Sequence, residues 1–404
     1  MMKEIVLIIT LVFACASAQA QANLVRNPSF EQYTQCPSTA DQITYADYWS
    51  GIDSVGVNSC IPEYCNACVS VGNFDVPSTG RYFQYARTGN AFAHVQVFYD
   101  EQIMPSPYLR DYIQGRLYDT LINNQSYCVT FHINLAEMSR YGIDKLGAYL
   151  DDGSIDATNN CGLPQTQYTP QVEYTDTIIT DTMHWITIEG TFIANGTERF
   201  ITLGNFYSLA NTDTIRLPDN VYNNFTNDNY SWFLIDDVSV IESDLPAYAG
   251  GDTWVAEGDS VFIGRTPEVG LECYWYVNGN VVDSGAGIWA KPDTTTTYVV
   301  SQTLCGVVRT DTVTVSVFPV SVNGITNSRQ LSVYPNPASS VLNVMQERVV
   351  FTEAVIVNNL GQQVGAFPLI DKNSGLDISA LPAGVYYLQL SGSKGREVRS
   401  FVKM

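Results

Sequence analysis

Polar and apolar residues alternate with a period of two through much of the first 240 residues, the spacing of half-buried strands. In 91–98, Ala91, Ala93, Val95 and Val97 fall on one side, with Phe92, His94, Gln96 and Phe98 on the other. From 127 to 135 the side Tyr127, Val129, Phe131, Ile133 and Leu135 is apolar, and Cys128, Thr130, His132 and Asn134 face away. Leu146, Ala148 and Leu150 alternate with Gly147, Tyr149 and Asp151. Ile186, Ile188, Gly190 and Phe192 alternate with Trp185, Thr187 and Glu189. The 3.6-residue spacing of amphipathic helices is nearly missing, so the pattern predicts an all-β protein. Trp185 and Trp232 are expected in the core.

The alternation is interrupted where turn residues gather. Residues 244–251 hold Pro246 and two glycines, which marks a boundary. Short strands follow at 260–264, 272–277, 297–302 and 311–317, with Asn278-Gly279 as a hairpin turn. In the last seventy-odd residues, apolar runs at 341–344, 354–357 and 385–390 alternate with turn chemistry. Pro335 and Pro337 fix φ, and Pro382-Ala383-Gly384 breaks the chain before a strand. The reading is three β-sandwich domains, at 23–244, 250–318 and 330–404. Ahead of them, Lys3, an apolar stretch at 5–14 and small residues at Ala16, Ala18 and Ala20 predict a cleavable export signal over 1–20. No later segment is long and apolar enough to span a bilayer.

Composition sharpens this picture in two ways. The 404 residues carry a formal net charge of −21, most of it ahead of Asp244. This argues against a nucleic-acid partner, whose phosphates need Lys and Arg, and is compatible with calcium. Nine cysteines are present, and Cys15 would leave with the signal. The remainder, Cys36, Cys60, Cys65, Cys68, Cys128, Cys161, Cys273 and Cys305, are even in number, which in an exported protein reads as disulfides. Cys65-Asn66-Ala67-Cys68 has zinc-ligand spacing, but no second pair follows it, so disulfides are expected there too. Cys273 and Cys305 are placed to form one local bridge; the pairing of the other six is open.

Motifs for catalysis are lacking. No nucleophile elbow, metalloprotease helix or phosphate loop occurs, and the three histidines are few for triad or metal chemistry. Many carboxylates are available for a glycosidase pair, yet none is marked.

Three resemblances extend the reading. The ordered set Leu331-Ser-Val-Tyr-Pro-Asn-Pro337, Val355-Ile-Val-Asn-Asn-Leu-Gly361, Leu376 to Leu388 and Arg399 to Met404 resembles the C-terminal sorting domain of type IX secretion cargo. That implies the type IX machinery as a partner and a secreted or outer-membrane surface-attached product of a Gram-negative cell. Cys273-Tyr-Trp-Tyr-Val-Asn-Gly279 followed by Cys305 resembles immunoglobulin-like or PKD-like repeats, which act mostly as spacers; the resemblance implies that Trp275 is in the core. The two ends of the first domain, Asn23-Leu-Val-Arg-Asn-Pro-Ser-Phe-Glu31 and Trp232 to Glu242, resemble carbohydrate-binding modules of the galactose-binding-like jelly-roll type. This implies a structural calcium held by Glu31 and one of Asp236 or Asp237. If the alternating strands share a sheet, their second faces form a surface of rings and polar groups suited to sugars. His94, Gln96, His132, Asn134 and Tyr149 are its candidate ligand-binding residues. The Cys-rich loop at 35–85 is read as a disulfide-pinned excursion, and its segment Arg81-Tyr-Phe-Gln-Tyr-Ala-Arg87 interleaves aromatics with cations. The expected protein is a noncatalytic, exported glycan binder. Its rivals are an adhesion or structural protein that binds protein, and a hydrolase with an unmarked carboxylate pair.

Overall fold

The computed structural model describes residues 21–52, 61–69, 72–78, 80–100, 110–155, 167–223, 229–318, 331–347, 351–358, 361–392 and 395–404. The expected export signal, Cys60, Cys161 and the linker before Leu331 lie outside them. The chain forms two compact units, divided between Phe318 and Pro319. Among the described residues all regular structure is β apart from two single turns of 3-10 helix.

The first unit begins with β1 (Trp49–Gly51), β2 (Glu63–Asn66), β3 (Ala91–Tyr99), β4 (Ile113–Arg116), β5 (Ser126–Leu135) and β6 (Tyr141–Ile143). It continues through β7 (Gly147–Asp151), β8 (Val172–Glu173), β9 (Ile186–Ile193), β10 (Phe200–Gly204), β11 (Thr214–Arg216) and β12 (Tyr230–Glu242). Two five-stranded sheets, ordered β1-β4-β10-β7-β8 and β2-β3-β12-β5-β9, pack face to face as a sandwich. The apolar sides read from the sequence meet between them. Ala93, Val95, Val129, Phe131, Ile133, Ile188, Ile201, Phe233 and Ile235 share one buried cluster. Burying such side chains stabilises the fold by roughly 1.5–3 kcal/mol each.

The long central strand β12 runs antiparallel to both β3 and β5. Its pairing with β5 steps from Asp236–His132 to Ser239–Thr130, so β12 holds one extra residue there. Asp237 takes a left-handed φ of 51° at this bulge. Before it, Trp232, Leu234 and Asp236 point out of the sandwich; after it, Ser239 and Ile241 do.

A second sandwich follows in the same unit. Its larger sheet includes Glu272–Val277, Thr296–Leu304 and Val307–Phe318, and Val261–Gly264 pairs with Gly287–Ala290 across the core. Trp275 is fully buried, as expected. Asn278 and Gly279 have φ of 51° and 79°, the pair of left-handed residues that the type I′ turn requires. Its apolar cluster takes in Ala22, Cys128 and Ile241 from the first sandwich, so the two share core material. Gly270 sits against Ser239 at φ 87°, where an added Cβ would lie 2.4 Å from the serine Cβ. A side chain there would push the sandwiches apart. The carboxylate of Glu268 accepts the N–H groups of Ala22 and Asn23 at 2.8 and 2.9 Å. A disulfide between Cys128 and Cys305, 177 residues apart, closes the joint.

This pairing corrects the expected Cys273–Cys305 bridge. Cys273 lies opposite Gln302 in the sheet. Cys305 is three positions further on, about 10 Å at the strand rise, beyond the ~7 Å Cα separation that a disulfide tolerates. Cys273 is instead a buried thiol, and burial pushes it up to about 11. Cys65 is likewise buried and unbridged, so the expectation that every cysteine pairs is overturned for these two. Cys68 bonds Cys36 and pins the long loop, which also separates the two members of the zinc-like pair.

The second unit is a small sandwich. A sheet of Leu331–Tyr334, Val341–Gln346 and Asn373–Asp377 faces one of Gln363–Pro368, Phe351–Val357, Gly384–Gly392 and Gly395–Lys403. Leu342, Val344, Ile356, Leu376, Leu388 and Phe401 form its core. Among the described residues no helix is long and apolar enough to cross a membrane.

Candidate functional site

The outer face of the β2-β3-β12-β5-β9 sheet carries most of the residues expected to meet a ligand, and it is largely covered. One half lies under the pinned loop, where Val76, Tyr82 and Met138 pack on Phe92 and Leu234. The other half lies under the second sandwich. Two clefts among the described residues open on this face.

The first has a volume of about 560 Å3 and is lined by Gln96, Trp232, Tyr230, Tyr222, Asn73 and Arg81, with Met138 at its base. Trp232 is half-buried and stacks on the His94 imidazole, with ring centroids 4.6 Å apart. His94 is wholly buried and its Nδ1 donates to the Glu63 carboxylate at 2.6 Å. Tyr82 lies 5.1 Å from the same ring and contacts the Cys65 thiol at 3.1 Å. His94 is therefore the prop beneath Trp232, and cannot itself touch a ligand. Gln96 is anchored through its backbone: its N–H donates to Asp111 Oδ2 at 2.8 Å, and its carbonyl accepts from Asp111 N at 2.7 Å. Burial pushes the Asp111 carboxyl well above the usual carboxylate range. The side chain of Gln96 lines the cleft. Trp232 Nε1 has no hydrogen-bond partner among the described residues.

The other candidates disperse. Asn134 is buried and donates to the His184 carbonyl at 3.0 Å, a link internal to the sheet. Tyr149 belongs to β7, which pairs with β10 in the opposite sheet, and packs with Tyr168 and Phe206. Pleat alternation sets which side a residue takes within its own strand, but not which sheet the strand joins. His132 is on the expected face and lines the second cleft. Trp232, expected in the core, is half-buried and lines the first. The signal that could have found it is the run Tyr230-Ser231-Trp232, which starts a closing strand with two aromatics two residues apart.

The carboxylates expected to hold calcium have other partners. Asp237 is fully buried and accepts from Ser29 Oγ at 2.7 Å, Thr88 Oγ1 at 2.6 Å and Arg87 Nη1 at 2.7 Å. Asp236 accepts the backbone N–H groups of Arg87 and Thr88, and burial pushes its carboxyl well up. Glu31 accepts from Asn90 N at 2.7 Å beside Gly89, where any Cβ would lie 2.3 Å from its Oε1. The guanidinium of Arg87 thus supplies the positive charge at the meeting of the first and last strands. A calcium ion at these carboxylates would have to compete with the Arg87 guanidinium and the hydroxyls of Ser29 and Thr88. Among the described residues no group of three or more His, Cys, Asp or Glu is arranged to hold a metal.

Comparison with known proteins adds the export route. No relative among curated proteins matches the sequence. Solved structures similar to parts of the chain include the carbohydrate-binding and catalytic modules of Clostridium thermocellum xylanase 10B with xylohexaose. These are 12% identical over 59% of this chain and 33% of that one, with a TM-score of 0.26. A Bacteroides ovatus surface glycan-binding protein of a mixed-linkage glucan locus is 14% identical over 40% and 42%, at 0.15. Tandem titin immunoglobulin domains are 11% identical over 39% and 93%, at 0.16. Residues 332–404 match the family described as a secretion system C-terminal sorting domain, which indicates export by the type IX route, to the medium or to the cell surface.

Proposed function

We propose that this exported protein binds glycans without transforming them, through the cleft around Trp232. The observation that carries the reading is the composition of that cleft. A tryptophan ring stiffened from below by His94 stands beside two tyrosines, with the amides of Gln96 and Asn73 and the guanidinium of Arg81 around them. Flat rings cover the apolar face of a sugar, and fixed polar groups at the rim select its hydroxyls. The test is a glycan array probed with the mature chain, followed by titration of the strongest hit against Trp232→Ala. Loss of binding with an unchanged melting temperature supports the site. Full binding by the variant, or an array with no hit, removes it.

A further inference from the structure

The second open cleft lies in the seam between the two sandwiches and has a volume of about 610 Å3, within the roughly 300–1,000 Å3 range of small-molecule sites. Its floor is the outer face of β5 and β9, and its far wall comes from the second sandwich. His132 on the floor is 3% exposed, and its Nδ1 faces the Asp237 carbonyl at 3.3 Å. A carbonyl only accepts, so Nδ1 carries the proton. Burial and then the nearby Arg87 charge push the imidazole down to about 4, so the ring is neutral at physiological pH. Its Nε2 is consequently a lone-pair acceptor, and it has no partner among the described residues.

Glu189 reaches the same cleft from the neighbouring strand. Thr130 lies opposite Glu189 and His132 opposite Thr187, so His132 and Glu189 are diagonal neighbours on one face, roughly 7–8 Å apart at their Cα atoms. No hydrogen bond or ion pair of the Glu189 carboxylate occurs among the described residues. The cation of the seam, Arg87, is already engaged by Asp237 at 2.7 Å and Glu272 at 3.2 Å. The cleft therefore offers an uncompensated carboxylate and an imidazole lone pair, both acceptors, with threonine hydroxyls between them. An occupant must donate hydrogen bonds and carry positive charge.

We propose that the seam is a second binding site, independent of the Trp232 cleft, for a sugar bearing a protonated amine. The ammonium would sit on Glu189, and a sugar hydroxyl would donate to His132 Nε2. Thr88, Thr130, Thr187 and Thr303 favour a polyhydroxylated ligand over the methylene stem of a lysine. The test is calorimetric titration of the mature chain with the glucosamine dimer, its di-N-acetylated counterpart and Nα-acetyl-lysine amide. The expected result is saturable binding of the glucosamine dimer alone, weakened by salt. Glu189→Gln, at an exposed position, lowers that affinity about tenfold or more. His132→Phe lowers it too, and a melting curve for each variant reports whether the fold is kept. Equal binding of the acetylated dimer, equal binding of the lysine amide, no binding at all, or undiminished affinity in a folded Glu189→Gln would each overturn the assignment.

Discussion

Replacing both Cys128 and Cys305 by serine removes the cross-link between the two sandwiches without leaving an odd thiol. The bond closes a loop of 177 residues, for which the chain-entropy relation gives about 5 kcal/mol of restriction on the unfolded state. That figure is an upper bound, because unfolded chains keep residual structure and the native joint can relax. The unit holds roughly 300 residues, so its unfolding entropy is about 0.6 kcal/mol per degree and the full 5 kcal/mol corresponds to a drop of about 8 °C. The shared core of Ala22, Cys128 and Ile241 makes the two sandwiches one cooperative body, so a single transition should move. Calorimetry of the oxidised mature chain and the double variant measures the shift. Peptide mapping without reduction should show Cys128 joined to Cys305, and thiol labelling after denaturation should mark Cys65 and Cys273. A Cys273–Cys305 peptide, or an unchanged melting point despite the mapped Cys128–Cys305 bond, refutes the reasoning.

Removing Arg87 as Arg87→Ala leaves the buried Asp237 without its counter-charge. Breaking a buried pair from one side costs about 3–5 kcal/mol; partial exposure of Arg87 reduces the expected loss to roughly 2–3 kcal/mol, readable by denaturant titration. Chelator should not shift wild-type melting, and a drop in melting with chelator would show that a metal acts there after all. Asp111→Asn keeps an acceptor for Gln96 N–H and removes a buried charge. The folded carboxyl is raised, so wild-type stability is full below the unfolded value near 4 and falls as pH rises through the folded one. The variant's gain in melting temperature should therefore be nil at acid pH and grow toward pH 8; a gain of the same size at every pH argues against it. Truncation after residue 320 removes the sorting domain. It should strand the protein in the periplasm, as cell fractionation would report, and undiminished surface delivery would contradict the assigned route.

Local pattern carried the reading a long way. The inward side of β5 follows from spacing alone, the core position of Trp275 from the resemblance of its strand to immunoglobulin-like repeats, and the Asn278-Gly279 turn from residue chemistry. Each depends on contacts or dihedrals within a few residues. What failed depends on partners far away in the chain. His94 and Asn134 have the chemistry of a sugar site, yet the loop that hides one and the strand end that binds the other come from distant sequence. Tyr149 alternates as it should within a strand that joins the other sheet. Cys305 pairs across 177 residues and not with its neighbour Cys273, because sheet register outranks sequence proximity. Trp232 reads as core because a half-buried ring and a buried one have the same sequence signature.

The bulge at Asp237 has a consequence for how this protein can change. An extra residue in β12 reverses the parity of the strand, so its two halves obey separate alternation rules. The leading half presents Trp232 beside the pinned loop; the trailing half presents Ser239 and Ile241 to the second sandwich. Deleting the extra residue would leave a regular strand with Val238 and Val240 still inward, whereas losing the bulge at constant length would turn both outward and withdraw the surface on which the second sandwich rests. Substitutions on either side can accumulate without regard to the other, whereas a one-residue change in length within either half cannot. The strand behaves as two short heritable modules joined by a fixed spacer, and the ligand face can diversify while the joint stays still.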